Sequence, residues 1–350
     1  MINFYKGKRV FITGHTGFKG AWLSHILNFM GAKIIGYALP PDTKPNLFEL
    51  ASVSNCVDNI FSDIRDLPTL KQAVKSSKCE IIIHLAAQAL VRKAYNNPVE
   101  TYEVNMMGTV NILEAARENP NIKSILIVTT DKVYKNLEIE RGYKETDELN
   151  GTDPYSNSKS CAELITESYK QSFFKDLQAA VSTARSGNVI GGGDFAADRI
   201  IPDAVRALQT EAPLILRYPN SIRPYQFVLE ALSAYLLIAY KQYENKSLQG
   251  NYNVGPNIAD CVKTRELINL FYSHFDGAKW DIQNNNEPYE SGLLKLDASK
   301  IKRLLGWKPH IDIKQAVEMT AKWTKAYLNK ENFNYIMDEQ INNYLRGVLK

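Results

Sequence analysis

The stretch TGHTGFKG, residues 13–20, decides the fold. It closes a short apolar run, KRVFIT from Lys8, of the kind that forms a buried parallel strand. It also opens GAWLSHILNFM, whose apolar residues recur at helical spacing and stop at Gly31. Gly14, Gly17 and Gly20 therefore stand between a strand and a helix, three residues apart. Each has a physical task. The first permits a sharp turn, the second lets backbone approach a pyrophosphate, and the third packs the helix close to the sheet with its N-terminus toward the phosphates. In this context the triplet predicts a dinucleotide site built from Gly14, His15, Thr16, Gly17, Phe18 and Lys19.

Working outward, AKIIGYAL, CEIIIHLAAQ and IKSILIVTT read as further strands. ETYEVNMMGTVNILEAAREN and SKSCAELITESYKQSFF read as long helices, and AAVSTARSGNVIG as another strand. Strands alternating with helices indicate right-handed βαβ units. The expected class is α/β, a Rossmann-type doubly wound parallel sheet with a smaller C-terminal substrate-binding domain. The dinucleotide-binding domain is expected over residues 1–187. From Asn188 the pattern loosens, which assigns 188–225 and 258–350 to the substrate-binding domain. GNYNVGP reads as a strand returning to the first domain, within a segment near 226–257.

Bulk properties exclude several functions. The 350 residues carry a net charge of only +4, with no concentrated basic run, so no nucleic-acid partner is expected. Cys56, Cys79, Cys161 and Cys261 are isolated, which fits a reducing compartment and neither zinc nor disulfides. His15, His25, His84 and His310 show no metal spacing, so no metal is expected and packing or surface roles are assigned to them. No leader or membrane-spanning run is visible, which predicts a soluble, cytoplasmic protein with no membrane partner.

Two constellations carry chemistry. Tyr155 and Lys159, in YSNSK, lie four apart and so on one face of a helix. An ammonium beside the phenol is expected to lower the tyrosine's pKa from about 10 and make it a usable base. LIVTTDKVYK, residues 126–135, places Thr130, Asp131 and Lys132 at the end of an apolar strand. Cofactor identity is open on the residues alone. The expected acid some way after the glycines is missing, Tyr37 standing near its place and Asp42 beyond it, and no arginine is there for a 2′-phosphate. Asp63 and Ile64, in SDIRD, are candidates for an adenine-edge contact.

FITGHTGFKG, HLAAQ, ETYEVNMMGTVNILEA, TTDKVY, YSNSK, RSGNVIGGGD and LDASKIKRLLGWKP together resemble the extended short-chain dehydrogenase/reductases that modify nucleotide sugars. Within them GHTGFKGAWL, TTDKVY and SIRPYQFVLE are similar to the CDP-glucose 4,6-dehydratase subfamily. Tyr225 and Phe227 depart from the Trp and His more usual there, and Lys135 from a glycine. The resemblance implies NAD as cofactor, CDP-glucose as substrate, and a homodimer or homotetramer paired through the helices around Met106 and Ser168. It implies a hydride-transfer triad of Thr130, Tyr155 and Lys159. Asp131 is then the acid and Lys132 the base of an elimination, where related dTDP-glucose enzymes carry Thr-Asp-Glu and epimerases carry small residues. It further implies Leu85, Ala86 and Ala87 against the cofactor, and Asn105 bracing the active-site backbone. Gln88, Asn188, Arg199, Arg217 and Arg223 are expected at the substrate, because arginine forks match diphosphate oxygens. The remaining alternatives are another nucleotide-hexose 4,6-dehydratase, a nucleotide-sugar 4-epimerase on the same fold, and a non-catalytic dinucleotide sensor.

Overall fold

The computed structural model describes residues 1–282 and 292–348. Its frame is a sheet of β1 (Arg9–Thr13), β2 (Lys33–Ala38), β3 (Asp58–Phe61), β4 (Ile81–His84), β5 (Ser124–Val128), β6 (Ala180–Ser186) and a last strand, Asn251–Val254. The seven strands lie in the order Asn251–Val254, β6, β5, β4, β1, β2, β3, and every pairing is parallel. A parallel sheet needs cover on both faces. β1 shows how the sequence meets that need. Val10 and Ile12 join one core with Trp22, Leu126 and Leu232, while Phe11 between them joins the other with Leu70, Ile112 and Ile125. The helices Phe18–Phe29 and Val228–Glu244 cover the first face; Leu67–Ser77, Gly108–Arg117 and Pro154–Ser172 cover the second.

Local sequence sets where these helices begin. Asp66 caps Leu67–Ser77 by accepting the Thr69 amide at 3.1 Å, and Asp153 caps Pro154–Ser172 by accepting that of Ser156 at 3.0 Å. Proline in the first turn of each loses no helical hydrogen bond.

The chain leaves β1 toward β2 and β3 on one side, then crosses to β4, β5 and β6 on the other. The reversal between β1 and β4 makes a crevice outside their carboxyl ends, where doubly wound sheets bind ligands. Above it stand the helices Ile200–Gln209 and Thr264–Tyr272 and short strand pairs. Leu214–Leu216 pairs with Trp280–Ile282, and Ile222–Arg223 with Val262–Lys263. Between these excursions the helix Val228–Glu244 and the Asn251–Val254 strand run in the frame of the sheet, the latter beside β6. Among the described residues no helix is long and apolar enough to cross a membrane, and no His, Cys, Asp and Glu cluster is arranged to hold a metal ion.

Candidate active site

The glycine turn is fixed by contacts that only glycine allows. Gly14 has φ +76°, and a Cβ there would stand 2.7 Å from the Ala86 amide nitrogen. A Cβ on Gly20 would stand 2.1 Å from the Gly14 carbonyl oxygen. At Gly17, by contrast, a Cβ would meet only the Gly14 oxygen at 3.6 Å, so that face is open. An open backbone face at the start of the Phe18–Phe29 helix is a cradle for a diphosphate, and the residues present therefore fit a dinucleotide. The loop after β4 closes against the turn: the Leu85 amide donates to the Thr13 carbonyl at 3.1 Å, and the Ala86 amide to the Thr13 hydroxyl at 3.2 Å.

A cavity of about 510 Å³ opens from this crevice. Lys19, Thr130, Asp131, Lys132, Tyr155 and Lys159 all line it, with Phe18, Leu85 and Ala87 beside them. Elements far apart in sequence thus converge. Thr130 precedes a tight turn, Asp131–Val133, whose Lys132 amide donates to the Thr130 hydroxyl at 3.4 Å. The Thr130 hydroxyl in turn donates to Asp131 Oδ1 at 3.0 Å. Asp131 is 2% exposed, and its Oδ2 has no protein partner among the described residues, so one carboxyl oxygen is held while the other is uncommitted.

Burial governs the titrating groups. It pushes the Tyr155 phenol up to about 12, against the opposing pull of a hydrogen bond with Thr130 and the charge of Arg199. This corrects the expectation of a phenol lowered by Lys159. Lys159 donates instead to the Val128 carbonyl at 3.4 Å, and burial brings its own pKa down to about 8, with Glu163 opposing. Lys19 is brought down to about 7 by burial, then by the neighbouring charges of Arg199 and Lys159, with Asp131 and Asp194 opposing.

Asn188, Arg199, Arg217 and Arg223 line the same cavity. Arg199 is held by Asp194 and Arg217 by Asp198, each at 2.9 Å, so both guanidiniums arrive pre-oriented. Gln88 stands differently. Its amide donates to the Leu90 carbonyl and the Thr101 hydroxyl, both at 3.0 Å, and its oxygen accepts the Leu90 amide at 2.7 Å. That side chain braces the loop through these bonds, and Gln88 is not among the residues that line the cavity. Asn105 sits where the helix widens at Glu103–Met107. It clamps the Gln88 backbone on both sides, at 2.8 and 2.9 Å, and donates to Ser158 on the Tyr155 helix at 2.9 Å.

The His15 side chain turns away from the cavity, fully buried beneath Gly36, with Nε2 on Asn59 Oδ1 at 2.9 Å. The Thr16 hydroxyl donates to the Leu39 carbonyl at 2.9 Å. Asp63 is bound by Arg65 at 2.7 Å, and Ile64 is buried under Gly108. Sequence reasoning missed Glu163 and Arg185, a pair with side chains 1% exposed beneath the site. One signal was available: Glu163 lies four residues after Lys159 and so on the same buried helix face.

Comparison with known proteins gives this geometry its relatives. The family model for GDP-mannose 4,6-dehydratase matches residues 11–320. A CDP-glucose 4,6-dehydratase of Salmonella typhimurium is 41% identical over 99% of each chain. The human dTDP-D-glucose 4,6-dehydratase is 26% identical over 93% of this chain and 91% of its own. Among solved structures, the dTDP-glucose 4,6-dehydratase of Bacillus anthracis with NAD superposes with a TM-score of 0.79 at 23% identity, over 94% of this chain and 100% of that one. The UDP-glucose 4-epimerase of Thermus thermophilus, also with NAD, gives 0.79 at 23% identity, over 91% and 99%.

Proposed function

The chain belongs to the GDP-mannose 4,6-dehydratase family, and from that premise we propose that it converts CDP-glucose to CDP-4-keto-6-deoxyglucose. One observation carries the reading: Tyr155, Lys159 and Thr130 share a single cavity with Asp131 and Lys132. The first three suit oxidation of an alcohol. The last two suit removal of water, and an epimerase has no use for them. The 41% identity to a CDP-glucose enzyme supports the choice of nucleotide.

NAD, held by the Gly14–Gly20 turn, supplies the hydride acceptor and donor. Tyr155 takes the proton of the C4 hydroxyl, with Thr130 bonded to the phenol and the charge of Arg199 opposing the burial that raises it. The resulting C4 ketone acidifies the C5 proton. Lys132, at the cavity wall, removes it, and Asp131 protonates the departing C6 hydroxyl. Arg199, Arg217 and Arg223 meet the diphosphate. The cofactor-side and substrate-side portions are residues 1–187 with 226–257, and 188–225 with 258–350. Exposed Val99, Met107 and Leu164, on adjoining helices of one face, support pairing of subunits there, as a homodimer or homotetramer. Four free cysteines support a reducing, cytoplasmic setting.

The test is to incubate the protein with CDP-, dTDP-, UDP- and GDP-hexoses and record loss of one water by mass. CDP-glucose is expected to react fastest. Faster turnover of another nucleotide would move the assignment to that sugar, and inversion at C4 without water loss would make the enzyme an epimerase.

A further inference from the structure

Beneath the turn that carries Asp131 and Lys132 runs a chain of buried polar side chains whose central ion pair, Glu163 and Arg185, does not line the cavity. Glu163 accepts from the Thr129 hydroxyl at 2.5 Å and the Thr183 hydroxyl at 2.8 Å. Its Oε2 also pairs with Arg185 at 2.9 Å. Arg185 donates through Nη1 to the Tyr134 hydroxyl at 2.8 Å, and its guanidinium lies 5.1 Å from the Tyr134 ring centre. The Tyr134 hydroxyl donates to Asn253 Oδ1 at 2.6 Å, and Asn253 Nδ2 donates to the Tyr143 carbonyl at 2.7 Å. Every side chain from Thr129 to Asn253 in this chain is at most 4% exposed.

Such a pair is a poor device for stability. Removing two charges from water is costly, and apolar residues of equal volume often serve as well or better. Among the described residues the Arg185 Nε has no acceptor, so the pair is not fully satisfied. What it supplies is position. Thr129 precedes Thr130, Asp131 and Lys132, and Tyr134 follows them, so the chain holds the turn at both ends. It ties those ends to the Tyr155 helix through Glu163, to β6 through Arg185 and to the edge strand through Asn253.

We propose that Glu163 and Arg185 are positioning residues that hold Asp131 and Lys132 in register, so that water elimination depends on an ion pair outside the cavity lining. This rests on the dehydratase reading above.

The test compares the holoenzyme with Glu163→Gln, which keeps shape and an acceptor but loses the charge. Amide hydrogen exchange of the peptide covering residues 129–134 is expected to accelerate selectively. Turnover is expected to fall by about ten- to a hundredfold, the scale of a small misplacement, with KM little changed. In single turnover, reduced nicotinamide should accumulate, because elimination slows more than oxidation. Arg185→Lys, which keeps the charge, should retain more turnover than Arg185→Leu. Should Glu163→Gln not fold, Tyr134→Phe removes only the hydroxyl link and should show the same local exchange and the same accumulation. Unchanged exchange and turnover in a folded variant would overturn the proposal, as would equal slowing of oxidation and elimination. The exchange measurement needs no substrate. If the unaltered enzyme released no water while exchange rose as expected, the dehydratase reading would fail and the register claim would stand.

Discussion

The Thr130 hydroxyl donates to Asp131 Oδ1 at 3.0 Å, which links the threonine proposed for the oxidation to the aspartate proposed as the acid of the elimination. Thr130 also bonds the Tyr155 phenol, so one hydroxyl contacts both the group proposed to act at C4 and the group proposed to act at C6. The two half-reactions should nevertheless separate by mutation. Lys132→Ala is expected to slow overall turnover by about 10²–10⁴-fold, the usual contribution of positioned proton transfer, while cofactor reduction persists. Tyr155→Phe should abolish cofactor reduction. Stopped-flow absorbance of the nicotinamide in single turnover separates them, and full activity in Lys132→Ala would place the base elsewhere.

The alkaline limit of activity should come from Lys159. Burial brings it down to about 8, so its positive charge at the cavity wall is lost as pH rises through that value. A plot of log kcat/KM against pH is expected to bend downward near pH 8. A profile flat to about pH 10, where an ordinary lysine titrates, would show that Lys159 is not the limiting group.

Stability should respond to pH with two opposite signs. Burial pushes His15 down to about 4 and His84 down to about 3, whereas unfolded imidazoles titrate near 6.5. Below that pH the unfolded chain binds protons the folded one refuses, so their contribution is present above about 6.5 and lost as pH falls. Glu230 runs the other way. Burial raises it to about 7, so its contribution is full at low pH and declines as pH rises from the unfolded value of about 4.3 through 7. Glu230 accepts the His310 amide at 3.0 Å, an acceptor glutamine keeps. Urea melts of Glu230→Gln and the parent should therefore converge, or reverse, between pH 5 and pH 8. A constant gap would contradict the assignment.

Gly20→Ala should destroy cofactor binding, because a Cβ would sit 2.1 Å from the Gly14 carbonyl and force the turn apart. Equilibrium dialysis with NAD is the measurement, and affinity equal to the parent's would mean that the turn does not hold the dinucleotide.

The sheet and the glycine turn were legible because their signals are local. A buried strand ending in Gly14 and a helix starting near Gly17 leave few other readings, and the apolar runs of β4 and β5 mark strands that face cover on both sides. Thr130, Asp131, Lys132, Tyr155 and Lys159 were legible as residue types at a strand end and on one helix face, and the fold brings them into one cavity. The charge state of Tyr155 was not. Sequence spacing shows the neighbour Lys159 but not the desolvation that raises the phenol, opposed by Thr130 and Arg199. The bonds of Gln88 to Leu90 and Thr101 were not legible either, since they depend on how a loop folds back. Arg185 and Asn253 meet only when β6 and the last strand pair, a contact that no local pattern encodes.

The central claim is that C4 oxidation, loss of water across C5–C6 and hydride return to C6 occur on one sugar molecule in one cavity. Its most direct test mixes C4-deuterated CDP-glucose with unlabelled CDP-glucose carrying a distinguishable carbon label, and examines the products by mass spectrometry and NMR. The expected result is deuterium at C6 of its original skeleton, with one solvent-derived proton at C5. Deuterium retained at an inverted C4, or scrambled between skeletons, would contradict it.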